Sequence, residues 1–397
     1  MKNPHHVALL LVSFAWLLIF IGRVTPATLL VQIVDDLQIS TVSAGIGLSG
    51  MWLFYGIMQF PGGSLSDIHG RKKIIVVSLI CFILASVAIG FNSGFISVIV
   101  TFSFMGFAAG LLPAPSFAMI AELFGPSKGK ALGIHSTIGG FSGFAPLFLP
   151  LFALIIGWRS VFFIWGLLAT LLVLLFLRYV SDTAFVTVNK PQKEMIIIGL
   201  KALVEKKALF LFIINVIITF AWMGMLSWFP TFLQEDKACS PEIAGALFAL
   251  MLSGSFILKP IIGHISDKVN RLKIMFILTI LGAISLFSFT LADSLLFLMI
   301  STFLFSQTSA FYPVRTSYMM DFWSDELSGA KLGVFRSLIV LIGSPIAGII
   351  GWAKDIYGFS NILYMLTAGL ILTAFLLAFR LYISCKEPSG SLDDIYP

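Results

Sequence analysis

GGSLSDIHGRKK, residues Gly62 to Lys73, stands between two long apolar runs, and 200 residues later GHISDKVNRLK, Gly263 to Lys273, stands in the same setting. Each copy packs Ser, Asp, Arg and Lys into a dozen residues, the composition of a tight polar turn where a chain leaves and re-enters an apolar phase. The surroundings name that phase. The chain has 397 residues, 58% hydrophobic and 11% charged, where a soluble domain carries roughly a quarter charged residues. Apolar runs of about 18 or more residues read as membrane spans, and this chain is nearly continuous in them. The first run, 7–34, is too long for a signal peptide, holds Arg23, and ends at Asp35-Asp36 without a small-residue cleavage pattern. It is expected to be a retained span of a polytopic membrane protein.

The breaks between runs divide the chain into twelve predicted spans. Spans 1–6 cover about 7–34, 42–64, 74–91, 95–120, 131–156 and 160–180; spans 7–12 cover about 208–233, 243–265, 272–292, 294–320, 331–353 and 360–384. One constant offset of 200 aligns Ser40, Ala44 and Gly45 with Ser240, Ala244 and Gly245. It also aligns Gly63, Ser66, Asp67, Arg71 and Lys73 with Gly263, Ser266, Asp267, Arg271 and Lys273. The expected architecture is an all-α membrane protein of two parallel six-helix pseudo-repeats, related by an axis along the membrane normal. The halves are 1–180 and 208–384, joined by a linker at 181–207 and followed by a tail at 385–397. The basic, partly amphipathic 195–207 segment suits either a helix on the membrane surface or a plain linker.

With the N-terminus inside, 18 of the 25 Lys and Arg residues fall on the inner side. Arg159, Lys237 and Lys354 fall outside, and Arg23, Lys259, Arg315 and Arg336 lie within spans. This positive-inside bias predicts cytoplasmic termini and a cell (plasma or inner) membrane. It also accounts for the net charge of +6 without a nucleic-acid partner.

Twelve spans, a 6+6 repeat and the polar turn after the second span of each half resemble the major facilitator superfamily. Its turn pattern, Gly-x-x-x-Asp-Arg/Lys-x-Gly-Arg-Arg/Lys, is matched by Gly63, Asp67, Gly70, Arg71 and Lys72, with Ile68 in the basic position. Gly263, Asp267, Lys268 and Arg271 match in the second copy, with Asn270 in place of glycine. Gly63 is expected to let span 2 pack closely, and Gly70 to make the turn. In the superfamily the turn aspartate meets the start of span 11 and latches the inner side. The resemblance therefore implies a gate of Asp67 with Arg336. Glu122, ending span 4, is positioned to hold Arg71, and Asp321, ending span 10, to hold Arg271, with Asp267 the turn aspartate on the second half's side of the gate.

Ionisable groups inside a membrane each cost roughly 2.5–3.5 kcal/mol at mid-span and are functional candidates by default. Here they are cations, and no Asp or Glu lies well inside a predicted span. Cations around a cavity call for an anion. Arg23 lies roughly 24 Å from the inner start of span 1, past the middle, at ~1.5 Å per residue. It ranks first for substrate, Lys259 second and Arg315 third, with the shallow Arg336 assigned to the gate. Spans 1, 4, 7 and 10 mainly face the cavity in the superfamily. On span 7, Asn215, Thr219 and Trp222 share a face; Tyr312 shares one with Arg315 on span 10, and Tyr55 with Gln59 on span 2. For each of these polar and aromatic residues, helix packing is the competing role.

GRVTPATLLVQIVDDLQIS (22–40) with YGIMQFPGGSLSD (55–67) is similar to the organic-anion symporters, in which an arginine of span 1 binds a carboxylate or phosphate. Gly22 replaces the acid that often precedes it. Phe102 stands where drug–proton antiporters carry an arginine, and GGFSGFAPL (139–147) replaces their Gly-Pro-x-x-Gly-Gly signature. His135 is expected to open span 5 as an interfacial structural histidine.

Gly45-x-Gly47-x-x-Gly50 has the dinucleotide spacing but no strand before it, so it reads as helix-packing surface. Cys81, Cys239 and Cys385 have no ligand spacing, and no Ser–His–acid set assembles. The expectation is a transporter working by alternating access on a small organic anion such as a carboxylate, sugar acid or phosphate ester. It is not an enzyme, and no cofactor or metal is expected. Its partners are a small-molecule solute and the lipid bilayer, with proton, sodium and exchange coupling all open, and it is expected to be a monomer. An exporter of hydrophobic or drug-like compounds is the rival, and a transporter-like solute sensor the alternative from another class.

Overall fold

In lipid every backbone donor and acceptor must be satisfied within the segment, which leaves helices for a chain of this kind. The computed structural model describes residues 4–181, 192–323 and 328–384, and among them every regular element is an α-helix or a 3₁₀ turn. The first part of the predicted linker and the 385–397 tail lie outside the described residues.

Among the described residues ten helical runs are long and apolar enough to cross a membrane, and two of them are too long to cross once. Phe95–Ile156 has 62 residues, about 93 Å if straight at ~1.5 Å per residue, against a hydrocarbon core of about 30 Å. It turns back at the 3₁₀ segment Gly125–Ser127, where Gly125 takes φ 45°. Lys331–Ile383 turns back at Gly358, with φ 75° and ψ 163°. The result is twelve crossings, as the spacing of polar breaks predicts. Several crossings are themselves interrupted. Span 5 passes through a 3₁₀ turn at Phe141–Phe144, span 10 through one at Gln307–Ala310, and span 11 breaks between Gly343 and Ile346.

The repeat is physical as well as textual. Ser40 caps span 2 by accepting from the Ser43 N–H, and Ser240 caps span 8 by accepting from the Ile243 N–H. Both take extended backbone angles, φ −74° and ψ 155° against φ −63° and ψ 156°, the usual geometry of an N-cap serine. At the other end of the same helices, the Ser66 hydroxyl donates to the Gly63 carbonyl and the Ser266 hydroxyl to the Gly263 carbonyl.

The two polar turns reach one end by different chemistry. Gly70 sits at φ 97° and ψ 144°, where a side chain would be strained. Asn270 keeps φ −48° and instead caps span 9, its side-chain oxygen accepting from the Leu272 and Lys273 N–H groups at 2.9 and 3.3 Å. The close packing expected at Gly63 occurs one residue earlier. A Cβ on Gly62 would lie 2.8 Å from the Leu111 carbonyl oxygen, whereas one on Gly63 would meet only the Ala114 Cβ at 3.2 Å. The reason is helical phase: Gly62 is on the face turned to span 4 and is buried.

The linker helix, Gln192–Leu203, does not lie on lipid alone. A Cβ on Gly199 would meet Val334 of span 11 at 2.5 Å, and the Trp323 indole N–H donates to the Glu205 carboxylate at 2.9 Å. His135 is not interfacial. It is fully buried between spans 1 and 5, against Trp16 and Phe117, with its Nδ1 3.1 Å from the Ser13 hydroxyl. The aromatic rings of the neighbouring spans, rather than headgroups, form its surroundings.

The halves meet at the end opposite the two polar turns. A Cβ on Gly45 would lie 2.7 Å from the Ala347 carbonyl oxygen, and one on Gly351 2.9 Å from that of Thr41. Because span 11 restarts at Ile346, its first N–H groups lack intrahelical partners. The Gly348 N–H is met across the interface by Ser49 Oγ at 2.8 Å. Spans 5 and 8 approach as closely where Gly245 faces Pro146 and Pro150. The Gly45–Gly50 series is thus packing surface, as its context predicts.

Candidate functional site

Between the halves lies a cavity of about 900 Å³ with an adjoining lobe of about 610 Å³. The two share Arg23, Trp52, Trp222 and Lys259 in their walls. The larger one runs to Gly263, His264 and Asp267, so the cavity opens on the end that carries the polar turns and is closed at the other.

All four cations of the predicted spans line it: Arg23, Lys259, Arg315 and Arg336. Asp267, at the mouth, is its one wall carboxylate among the described residues, and it already accepts from Arg271 at 3.2 Å. The field inside is therefore that of unbalanced positive charge, which low-dielectric walls strengthen.

Span 1 carries Arg23 into the cavity centre, buried to 8% exposure. Its guanidinium lies 4.3 Å from the Phe20 ring centroid, 4.3 Å from Tyr55 and 4.9 Å from Trp52. Three π-faces hold the cation in place of an acid, each worth roughly 0.5–2 kcal/mol. Phe20 stands one helical turn before Arg23, and Trp52 one turn before Tyr55, so each pair shares a helix face.

Arg315, 3% exposed, rests on Phe335 at 4.8 Å and donates from Nη2 to Thr316 Oγ1 at 3.2 Å. Its Nε and Nη1 are buried without a partner among the described residues. Asn215 is fully buried, and its amide oxygen and nitrogen are both likewise unmatched. Tyr312 donates from its hydroxyl to Thr219 Oγ1 at 3.3 Å, joining spans 10 and 7. Trp222 stacks on Phe305 with centroids 5.7 Å apart. Tyr55, Gln59, Asn215, Thr219, Trp222 and Tyr312, all singled out in the sequence, line the same cavity. Spans 2, 5, 8 and 11 contribute walls beyond the expected 1, 4, 7 and 10.

At the mouth, Arg71 is a hub. It donates to Glu122 at 3.0 Å and to Ser66 Oγ at 2.7 Å, and pairs with Asp67. Arg271 pairs with Asp321 and with Asp267. Each of these named pairs stays within its own half. The expected Asp67–Arg336 latch is not formed: Asp67 turns to Arg71, and Arg336 is an exposed cavity wall with no ion pair among the described residues. The physical reason is that the halves are parted at this end, so a contact that needs them together is broken.

Sequence reasoning missed Phe20, Trp52 and Ser227, and the Ser136–Thr137 stretch of span 5 in the smaller lobe. The i, i+3 spacing of Phe20 to Arg23 and of Trp52 to Tyr55 was the available signal.

The family model described as Major Facilitator Superfamily matches residues 12–241 and 232–393. The chain belongs to the Major Facilitator Superfamily. This superfamily member is 26% identical over 403 residues to the probable galactarate/D-glucarate transporter GudP of Bacillus subtilis (strain 168), covering 88% of each chain. It is 25% identical over 256 residues to the hexuronate transporter of the same strain, covering 60% of this chain and 58% of that one. With the probable galactarate/D-glucarate transporter GarP of Escherichia coli (strain K12) it shares 29% over 194 residues, 45% of this chain and 42% of that one. The matched region thus spans about half the length of the latter two relatives. The fold recurs in the nucleoside transporter NupG, TM-score 0.82 at 13% identity over 95% of this chain and 99% of that one. It recurs also in an inward-facing bacterial homologue of the human lysosomal transporter Spinster, TM-score 0.75 at 18% identity over 96% of both chains.

Proposed function

We propose that this multi-pass membrane protein is a secondary transporter for a small organic anion of the sugar-acid type, working by alternating access. The observation that carries the reading is the cavity itself: Arg23, Lys259, Arg315 and Arg336 line it, and Asp267, its one wall carboxylate among the described residues, is already paired with Arg271. Relatives that carry hexuronate, galactarate or glucarate in their names support the same chemistry.

Arg23 binds a carboxylate through the N–H edge that its three aromatic neighbours leave free, and Lys259 adds a point charge. Asn215, Tyr312 and Gln59 serve the hydroxyls of the solute. Residues 1–180 and 208–384 rock as two bodies about this site, with 181–207 as the link and 385–397 as a tail. The Lys/Arg asymmetry makes the polar-turn end cytoplasmic, with both termini there, in a plasma or inner membrane. The cavity is then open inward. Arg71 with Glu122 and Asp67, and Arg271 with Asp321 and Asp267, shape the two sides of the inner gate. In the outward-open state the turn aspartates meet the ends of the opposite half, Arg336 among them. Among the described residues no acid pairs with Arg23, which favours solute exchange or an ion other than a proton over a proton carried beside that residue.

Saturable uptake of a labelled sugar acid by purified protein in liposomes, abolished by Arg23→Gln, is the expected result. Uptake of lipophilic cations instead, untouched by Arg23→Gln, would sink the reading.

A further inference from the structure

Building on the anion reading above, we infer that the cavity selects dianions whose two acidic groups stand at opposite ends of the solute. One end is bound by Arg23 of the first half, the other by Arg315 and Arg336 of the second.

Charge count comes first. Four cations share one cavity whose only wall carboxylate among the described residues is already engaged by Arg271. A monocarboxylate answers one of them and leaves the rest facing each other across an apolar gap. Arg315 rests on Phe335, the residue next to Arg336, and both arginines line the cavity, so an anion lying between them offsets their like charges.

Placement decides the shape of the anion. Arg23 projects from span 1, whereas Arg315 and Arg336 project from spans 10 and 11, so the two basic ends belong to bodies that move against each other. Each end is incomplete by itself. The Arg23 guanidinium lies over three ring faces, and its Nε is buried and unmatched among the described residues. Arg315 holds two donor atoms, Nε and Nη1, buried and unmatched among the described residues, one on each edge of the guanidinium, so that each can take a separate oxygen of an anion. Asn215, with amide oxygen and nitrogen both unmatched, supplies a donor and an acceptor for hydroxyls between the ends. A compact dianion satisfies one end only. A two-ended solute spans both halves, and its binding draws them together over it. A monoacid of the same length binds at one end without bridging, so it is carried poorly.

The test uses the purified full chain in liposomes with three probes. These are D-glucarate, acidic at both ends; D-gluconate, the same six-carbon chain with one carboxylate; and inorganic phosphate, a compact anion. Uptake of D-glucarate is expected to exceed that of D-gluconate by about tenfold in kcat/KM, the increment of one charge-assisted contact. Arg315→Gln is expected to lower D-glucarate uptake by about tenfold while changing D-gluconate uptake by less than about threefold. Arg315→Lys, which keeps the charge, is expected to recover part of the loss and guards against a folding defect, together with an unchanged Tm. Equal transport of both sugar acids, or an equal loss of both in Arg315→Gln, overturns the two-ended selection and leaves the anion reading standing. Phosphate as the best substrate overturns it as well. Failure of all three probes, with Arg23→Gln indifferent, removes the anion reading and this inference together.

Discussion

Trp52 donates its indole N–H to Ser227 Oγ at 3.1 Å, across the boundary between the two halves. The same ring carries the Arg23 guanidinium 4.9 Å from its centroid. One side chain therefore touches both the cavity cation Arg23 and the bond that helps hold the halves together at the closed end.

Trp52→Phe keeps a ring for Arg23 and deletes the bond. A buried neutral hydrogen bond is worth about 1 kcal/mol net, so the closed end should open roughly fivefold more often. Distance measurements between spin labels on the two halves at that end are expected to show the longer population rising. An unchanged distribution would mean that Trp52 serves the cation alone.

Gly45 predicts a conformational trap. A Cβ there would lie 2.7 Å from the Ala347 carbonyl oxygen and 3.1 Å from the Trp228 ring, and neither a helix backbone nor a packed indole can step aside. Gly45→Val should fold with near-normal Tm yet fail to close this end, so net uptake is lost. Normal uptake would show that the close approach is dispensable.

The two arginine hubs should differ in strength. Glu122 is 24% exposed and Asp321 42%, and solvent screens the second pair more. Glu122→Gln is expected to lower Tm in detergent more than Asp321→Asn, because both arginines are 11% exposed and Glu122 is the more buried of the two carboxylates. The reverse order would contradict the burial argument.

Cys239 reports topology. It lies in the turn between spans 7 and 8, half-buried, and burial pushes its thiol pKa up. The thiolate is the reactive form. A membrane-impermeant maleimide applied to intact cells should therefore label Cys239 slowly at pH 7 and faster as the pH rises through the elevated pKa. Labelling only after permeabilisation would invert the orientation proposed for the chain.

Much of this was legible in order along the chain. The twelve crossings follow from run length, since roughly 20 apolar residues span the hydrocarbon and 62 cannot do so once. The Arg71–Glu122 and Arg271–Asp321 contacts follow from charges placed at the same end of neighbouring spans. The four intramembrane cations stand out because the other charges of the predicted spans, Arg178, Lys273, Lys331 and Arg380, sit at span ends. Less legible was the Gly62 contact, one residue from the glycine that the repeat highlights, because helical phase and not sequence pattern sets which face meets a neighbour.

Sequence by itself determined the class, the number of crossings, the internal repeat and the sign of the cavity, because each depends on composition, spacing or charge along one chain. Tertiary structure alone decided that three aromatic rings and no acid hold Arg23. It decided also that Asp67 faces Arg71 instead of Arg336, and that one end of the halves is closed by Ser49, Trp52, Ser227 and Gly348. Those facts depend on how two rigid six-helix bodies are tilted against each other. Residues 175 and 299 positions apart meet or part by that tilt, and nothing local to either residue records it.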